Sequence, residues 1–209
     1  SSYEYFPSKS IFCAVVDPGV GSDRPAVCIE TARFYFVGPD NGLLWKAAYS
    51  DGIKKIVTLD NKEYFLESVS STFHGRDIFG PVAGALSKGI DDISCLGSQT
   101  GQLCRMEWPE PAVLEDRLEA AVLYVDRFGN LTLNLDARAF HSFLAGKDFR
   151  MTVGGRPVTD IFQSYAQADE DHPFLIESSS GLMEISVKNG DAAAVLKAGA
   201  GDQVLLEKA

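Results

Sequence analysis

From Leu118 onward the sequence breaks into short apolar runs, "LEAAVLYVD", "NLTLNL", "DFRMTV", "RPVTDIF", "HPFLIES", "LMEISV" and "DQVLLEK", separated by turn-forming residues. Runs this short, interrupted this often, make strands rather than helices. They predict a mainly β, barrel-like C-terminal domain over 113–209, with helices only at "ARAFHSFLA" and "DAAAVLKA".

The preceding part has another texture. "IFCAVV", "AVCIE", "FYFVG" and "KKIVTL" read as strands, while "LLWKAAYSDG" reads as a short helix capped by Asp40 or Asn41. A second helix is expected from Asp77 to about Lys88, closed by Gly89. Strands alternating with helices predict an α/β domain over 1–107. The segment "CRMEWPEPAVLED", with two prolines and no apolar period, marks the boundary. Its first strand begins almost at once and few strands precede the linker, so a piece of this domain is expected upstream of residue 1.

A formal net charge of −10 and a pI near 4.7 disfavour phosphate backbones and anionic lipid, and no basic patch offsets them, so neither nucleic acid nor membrane is an expected partner. No apolar run approaches the roughly 20 residues that span a bilayer, and "SSYEYFPSKS" lacks the layout of a signal peptide, which predicts a cytoplasmic protein. Cys13, Cys28, Cys95 and Cys104 form no C-x-x-C pair, and His74, His141 and His172 are scattered. No metal site is predicted, and the thiols are expected to be reduced and mostly buried.

Several loops carry polar residues suited to chemistry. Asp17 follows the apolar "AVV" and opens "DPGVGSDR", at a strand's carboxyl end where α/β sheets place ligands, although a turn aspartate would look the same. That loop leads into a strand and lacks the P-loop spacing, which argues against nucleotide-triphosphate chemistry. In "STFHGRD" the partial positive charge of a helix start favours a neutral His74 able to accept a proton, or else a purely structural histidine. "VDRFGNLTLN" reads as a hairpin exposing Asp126, Phe128 and Asn130, and "SSSGLMEI" as a polar turn. Were Asp17, Arg24, His74, Asp126 and Asn130 to converge beside Phe73, Phe128 and Tyr165, they would suit an aromatic, polar, partly charged ligand.

Five motifs in order, "AVVDPGVGSDR", "VGPDNGLL", "STFHGRDIFGPVA", "DRFGNLTLN" and "SSGLMEISV", make the chain similar to the S-adenosylmethionine hydroxide adenosyltransferases, adenosine-forming hydrolases related to fluorinating and chlorinating enzymes. The resemblance implies hydrolysis of S-adenosyl-L-methionine (SAM) to adenosine and L-methionine. It places the hydrolytic aspartate, arginine and histidine on Asp17, Arg24 and His74, and leaves Arg76 and Asp77 to anchor and cap the helix. His74-Gly75 stands where the halogenating branch has a tyrosine-serine pair, which favours water as nucleophile. By the same resemblance Asp126 holds the methionine amino group, Asn130 the adenine edge, Phe128 and Tyr165 the adenine faces, Ser179 the methionine end, and Phe73 lies against the ribose.

The resemblance further implies a homotrimer with sites between subunits, and no cofactor, since SAM is the substrate. Family members also carry a "TDFG"-like segment whose aspartate grips the ribose hydroxyls, and this sequence begins after it. That departure leaves a non-catalytic module binding adenosine or SAM as the alternative, with a halogenase the weaker one.

Overall fold

The computed structural model describes residues 2–107 and 109–208; Ser1, Trp108 and Ala209, which include the outer limits of both predicted domains and one linker residue, lie outside the described residues. The chain divides into two compact units, Ser1–Glu107 and Trp108–Ala209.

In the first unit, β1 (Ile11–Cys13), β2 (Ala26–Thr31), β3 (Tyr35–Pro39), α1 (Trp45–Ser50), β4 (Ile53–Leu59), α2 (Gly80–Ser87) and β5 (Gly97–Gln99) follow one another. The strands form one mixed sheet in the order β1-β3-β2-β4-β5, parallel only between β1 and β3. Both faces are covered. Cys28, Val37, Val57 and Leu59 pack with Phe79, Val82 and Leu86 around α2, whereas Val27, Ile29, Phe36 and Ile56 pack with Leu44 and Ala48 around α1. Alternate residues of β2 thus enter opposite cores, which is why "AVCIE" shows no polar alternation.

Local readings needed correction here. The helix expected from Asp77 starts earlier, as a π-helical turn over Gly75–Phe79 that runs into α2. Pro81 has no N–H to give the Asp77 carbonyl, which instead accepts from the Leu66 N–H at 2.9 Å. Neither Asp40 nor Asn41 caps α1, whose N-cap is Leu44 without a side-chain bond. Asn41 spans loops, donating to the Val16 carbonyl at 2.8 Å, and Asp40 accepts from the Cys104 N–H at 2.7 Å. The "IFCAVV" strand ends at Cys13, so Asp17 lies in the loop beyond it. The cysteines are free among the described residues, but only Cys28 is buried, its thiol pushed up to about 12 by that burial. Cys13, Cys95 and Cys104 are exposed because they sit on an edge strand, in a short 3-10 turn and in an irregular segment.

The second unit contains β6 (Ala112–Val113), β7 (Arg117–Val125), β8 (Leu131–Asp136), α3 (Ala137–Leu144), β9 (Phe149–Val153), β10 (Arg156–Val158), β11 (Pro173–Glu177), β12 (Leu182–Val187), α4 (Ala192–Leu196) and β13 (Gln203–Lys208). Its antiparallel sheet runs β10-β9-β13-β7-β8-β12-β11, with β6 beside β7. The chain after β10 bridges to β11 through Phe162 N–H to Leu175 C=O (2.9 Å) and Leu175 N–H to Asp160 C=O (2.8 Å), so the sheet curls into a nearly closed barrel. Leu118, Leu133, Met151, Ile185, Val204 and Leu206 fill its interior. Asp136 and Asp191 cap α3 and α4 by accepting first-turn N–H bonds.

Candidate active site

In the first unit, Arg24 joins the loop after β1 to the start of the π-helical turn. Its Nη2 donates to Asp17 Oδ2 at 2.6 Å and lies 3.2 Å from His74 Nδ1, while its Nη1 donates to the Pro25 carbonyl at 2.7 Å. The pair is shielded, with side-chain exposures of 8% for Arg24 and 5% for Asp17, and the guanidinium lies 5.5 Å from the Phe79 ring centre. Gly21 brings the loops together: it has φ +81°, and a Cβ there would strike the Ser71 carbonyl. Ser22 tightens the loop by donating to the Gly19 carbonyl at 2.6 Å.

The contact between Arg24 and His74 fixes a tautomer. A guanidinium carries only donors, so Nδ1 must accept and the ring hydrogen resides on Nε2. His74 is thus arranged to donate from Nε2, and its acceptor nitrogen, Nδ1, is already engaged by Arg24. Asp17 Oδ1 and Arg24 Nε are buried without a partner among the described residues.

Asp77 secures the chain around this cluster. Its fully buried carboxylate accepts Arg76 Nε at 2.6 Å and Nη2 at 3.2 Å, and also the Ser70 N–H at 2.8 Å. The Arg76 hydrogen bonds, with that N–H, hold its carboxyl at about 2. The residue therefore anchors the incoming 66–70 segment and does not cap the helix. Phe73, next to His74, is 59% exposed, with the Arg76 guanidinium 5.0 Å from its ring centre.

In the second unit a cavity of about 740 Å³ is lined by all five residues singled out there: Asp126, Phe128, Asn130, Tyr165 and Ser179. The hairpin between β7 and β8 supplies three of them. Asp126 Oδ1 accepts the N–H groups of Phe128 (2.7 Å) and Asn130 (3.0 Å), and Oδ2 accepts Asn130 Nδ2 at 3.1 Å, with Asn130 Oδ1 left to accept among the described residues. Gly129 at φ +85° lies so close to Asp191 that a Cβ would collide with that carboxylate, and its carbonyl accepts the Ala193 N–H at 2.9 Å. Phe128 is 63% and Tyr165 42% exposed, so both rings present apolar surface.

The sequence reading missed Glu177, Glu184 and Asn189 in the same lining. The available signal was the alternation in β12: Met183, Ile185 and Val187 enter the barrel core, which turns Glu184 to the other face. With Asp126, Glu177 and Glu184 present and neither lysine nor arginine among the described lining residues, the cavity favours a cationic ligand. Its aromatic rings and the free Asn130 oxygen suit a heteroaromatic base bearing a donor.

Residues 1–97 match the SAM hydroxide adenosyltransferase N-terminal domain and residues 120–205 the corresponding C-terminal domain. The chain is 36% identical over 207 residues to the (R)-S-adenosyl-L-methionine hydrolase of Salinispora arenicola, spanning 96% of this chain and 75% of that protein. It is 33% identical over 197 residues to the hydrolase of the same name from Thermus thermophilus, spanning 90% and 72%. The crystal structure of an uncharacterized conserved protein from Thermotoga maritima superposes with a TM-score of 0.87 at 32% identity, covering 97% of this chain and 79% of that one.

Proposed function

The chain belongs to the SAM hydroxide adenosyltransferase family, and from that premise we propose that it hydrolyses SAM to adenosine and L-methionine by attack of water or hydroxide on the ribose C5′. An O–C5′ bond forms as the C5′–S bond breaks, sulfur keeps the electron pair and becomes the thioether, and the proton of water passes to solvent. A sulfonium is already a good leaving group, so no cofactor or metal is required of the protein. The task is to place the nucleophile opposite sulfur and to favour its ionised form.

The observation that carries this reading is the hydrogen-bonded line from the shielded Asp17 through Arg24 to His74. Asp17 fixes the guanidinium, the guanidinium fixes the imidazole tautomer, and Nε2–H is left to donate to the nucleophilic oxygen. A donor there stabilises hydroxide more than water, because a hydrogen bond to an anion is about twice as strong. Phe73 lies against the ribose, Phe128 and Tyr165 sandwich the adenine, Asn130 accepts from its edge, Asp126 takes the methionine ammonium and Ser179 the methionine end. The relatives' names specify the R sulfonium, and we carry that configuration to this substrate. They also favour turnover over binding alone.

The active form is a homotrimer in which the triad of one copy and the cavity of another serve one substrate molecule. Exposed Val15, Val16 and Phe73 near the triad residues in sequence are consistent with a covered surface there. Among the described residues no helix is long and apolar enough to cross a membrane. The free, largely exposed thiols suit a reducing compartment and support a cytoplasmic location.

The test is incubation of the purified protein with each sulfonium epimer in ¹⁸O-labelled water. Adenosine carrying the label at its 5′-oxygen, formed faster from the R epimer, is expected. Unlabelled adenosine, or unchanged substrate from both epimers, would overturn the proposal.

A further inference from the structure

Glu184 extends from β12 toward the cavity and holds a compact group of oxygens. Its Oε1 accepts the Tyr165 hydroxyl at 2.9 Å and the Ser186 hydroxyl at 2.9 Å, and those two hydroxyls lie 3.1 Å apart. Two hydroxyl hydrogens cannot satisfy three oxygen pairs with full bonds. Both point to the carboxylate, which fixes the direction of the Tyr165 O–H bond and with it the ring. Burial raises the Tyr165 hydroxyl above the ordinary phenol range, so it remains a donor at neutral pH.

A glutamate and a fully buried serine on one face of β12 could simply tie down the loop that carries Tyr165. That loop has other anchors. Phe162, Ala168, Phe174 and Ile176 form a small apolar cluster of their own, Ile161 bridges to Leu175, and Lys188 Nζ donates to the Ala168 carbonyl at 2.8 Å. Within the loop, Tyr165 occupies a single 3-10 turn, and its aromatic neighbour among the described residues is Phe174, approached edge-on at 5.6 Å. An edge-on neighbour limits the ring on one side only. The bond from the phenol tip fixes the remaining rotation.

We infer that Glu184 is a positioning residue: through the Tyr165 hydroxyl, and with Ser186 as its second donor, it locks the aromatic ring at the angle at which a nucleobase stacks in the cavity. The inference rests on the proposed adenosine-forming function. It predicts that Glu184 acts on the nucleoside half of the substrate and only by way of Tyr165.

Calorimetric titration of adenosine and of L-methionine into the whole protein tests it. Base stacking on an aromatic ring is worth about 5- to 150-fold in affinity, and loss of ring order should forfeit a good part of that. Glu184→Ala and Tyr165→Phe should each weaken adenosine about tenfold with L-methionine affinity and the thermal midpoint unchanged. Glu184→Gln keeps an acceptor oxygen and should stay within about threefold of the unaltered protein. In the Tyr165→Phe background, Glu184→Ala should cost nothing more. A further tenfold loss in that background, unchanged adenosine affinity in Glu184→Ala, or an equal loss for adenosine, methionine and stability would each overturn the inference while leaving the proposed function standing. Failure of the unaltered protein to bind adenosine would overturn both.

Discussion

Replacing Arg24 with alanine should cost this protein both stability and turnover, whereas replacing His74 should cost turnover alone. Arg24 donates to Asp17 at 2.6 Å in a place where both side chains are almost wholly shielded. Removing the guanidinium leaves a carboxylate buried without its counter-charge, and breaking a buried pair in this way costs about 3 to 5 kcal/mol. His74 is half-buried and contributes one contact to Arg24, which keeps Asp17 and the Pro25 carbonyl as partners when the imidazole is gone. His74→Ala should therefore lose less than about 1 kcal/mol of stability. Turnover should fall on the order of a hundredfold or more in both, since His74→Ala loses the donor that favours hydroxide and Arg24→Ala loses the group that holds that donor in its tautomer. Denaturant unfolding followed by circular dichroism gives the stability difference, and chromatography of adenosine gives the rate. Equal stability losses in the two variants would mean that Arg24 does not carry the Asp17 charge in solution. Near-normal turnover in a folded His74→Ala protein would remove the histidine from the chemistry.

Acid sensitivity should follow the lowered carboxylates. Asp77 sits at about 2 through Arg76 and Asp92 at about 2 through Lys55, so their stabilising contributions are complete above about pH 4 and fade as the pH falls toward 2. Asp77→Asn should flatten the stability profile across that window, and an unchanged slope between pH 4 and 2 would contradict the assignment. Gly129→Ala should destabilise the second unit by about 1 to 3 kcal/mol, because alanine at φ +85° is strained and its methyl meets the Asp191 carboxylate; an unshifted thermal midpoint would show that the hairpin and α4 are not in contact. If a triad and a cavity from different copies serve one substrate, mixing His74→Ala with Asn130→Ala protein should restore part of the activity. Verified subunit exchange without recovery would count against that assembly.

Element types were readable because local chemistry decided them. Each short run of the second unit contains enough apolar residues for a strand, and aspartates such as Asp136 and Asp191 stand where α3 and α4 begin. The departures arose where a long-range partner outbid a local preference. Asp40 is a good cap by type, yet the distant Cys104 N–H takes its carboxylate, while Asn41 gives its oxygen to the Leu43 N–H ahead of α1 and its amide to the distant Val16 carbonyl. The π-helical turn depends on Pro81 denying the Asp77 carbonyl a helical donor while Leu66 supplies another. The same limit applied to the site. Its turn residues lie in recognisable loops, but Glu184 lies inside a strand, where sequence spacing gives a face and no partner. Its link to Tyr165 exists only after the loop between β10 and β11 folds over β12.

The charge of the cavity bears on where the rate enhancement must arise. Asp126 and Glu177 attract a substrate that carries ammonium and sulfonium charges. As hydroxide attacks, its negative charge and the positive charge of sulfur cancel, so the transition state carries less separated charge than the bound reactants. Carboxylates that favour the cation therefore bind the substrate at least as well as the transition state, and binding of that kind lowers KM without raising kcat. They also weaken their hold once the sulfonium has become a thioether, which helps the products leave. On the proposed mechanism acceleration comes from the groups that act on the nucleophile, namely a histidine kept in its donor tautomer by an arginine that an aspartate holds in place. Substitutions at Glu177 and Asp126 should accordingly appear in KM, and those at His74 and Arg24 in kcat, a split that steady-state kinetics on the four variants can resolve. A kcat effect from the cavity carboxylates equal to that of His74 would place the chemistry on the wrong group.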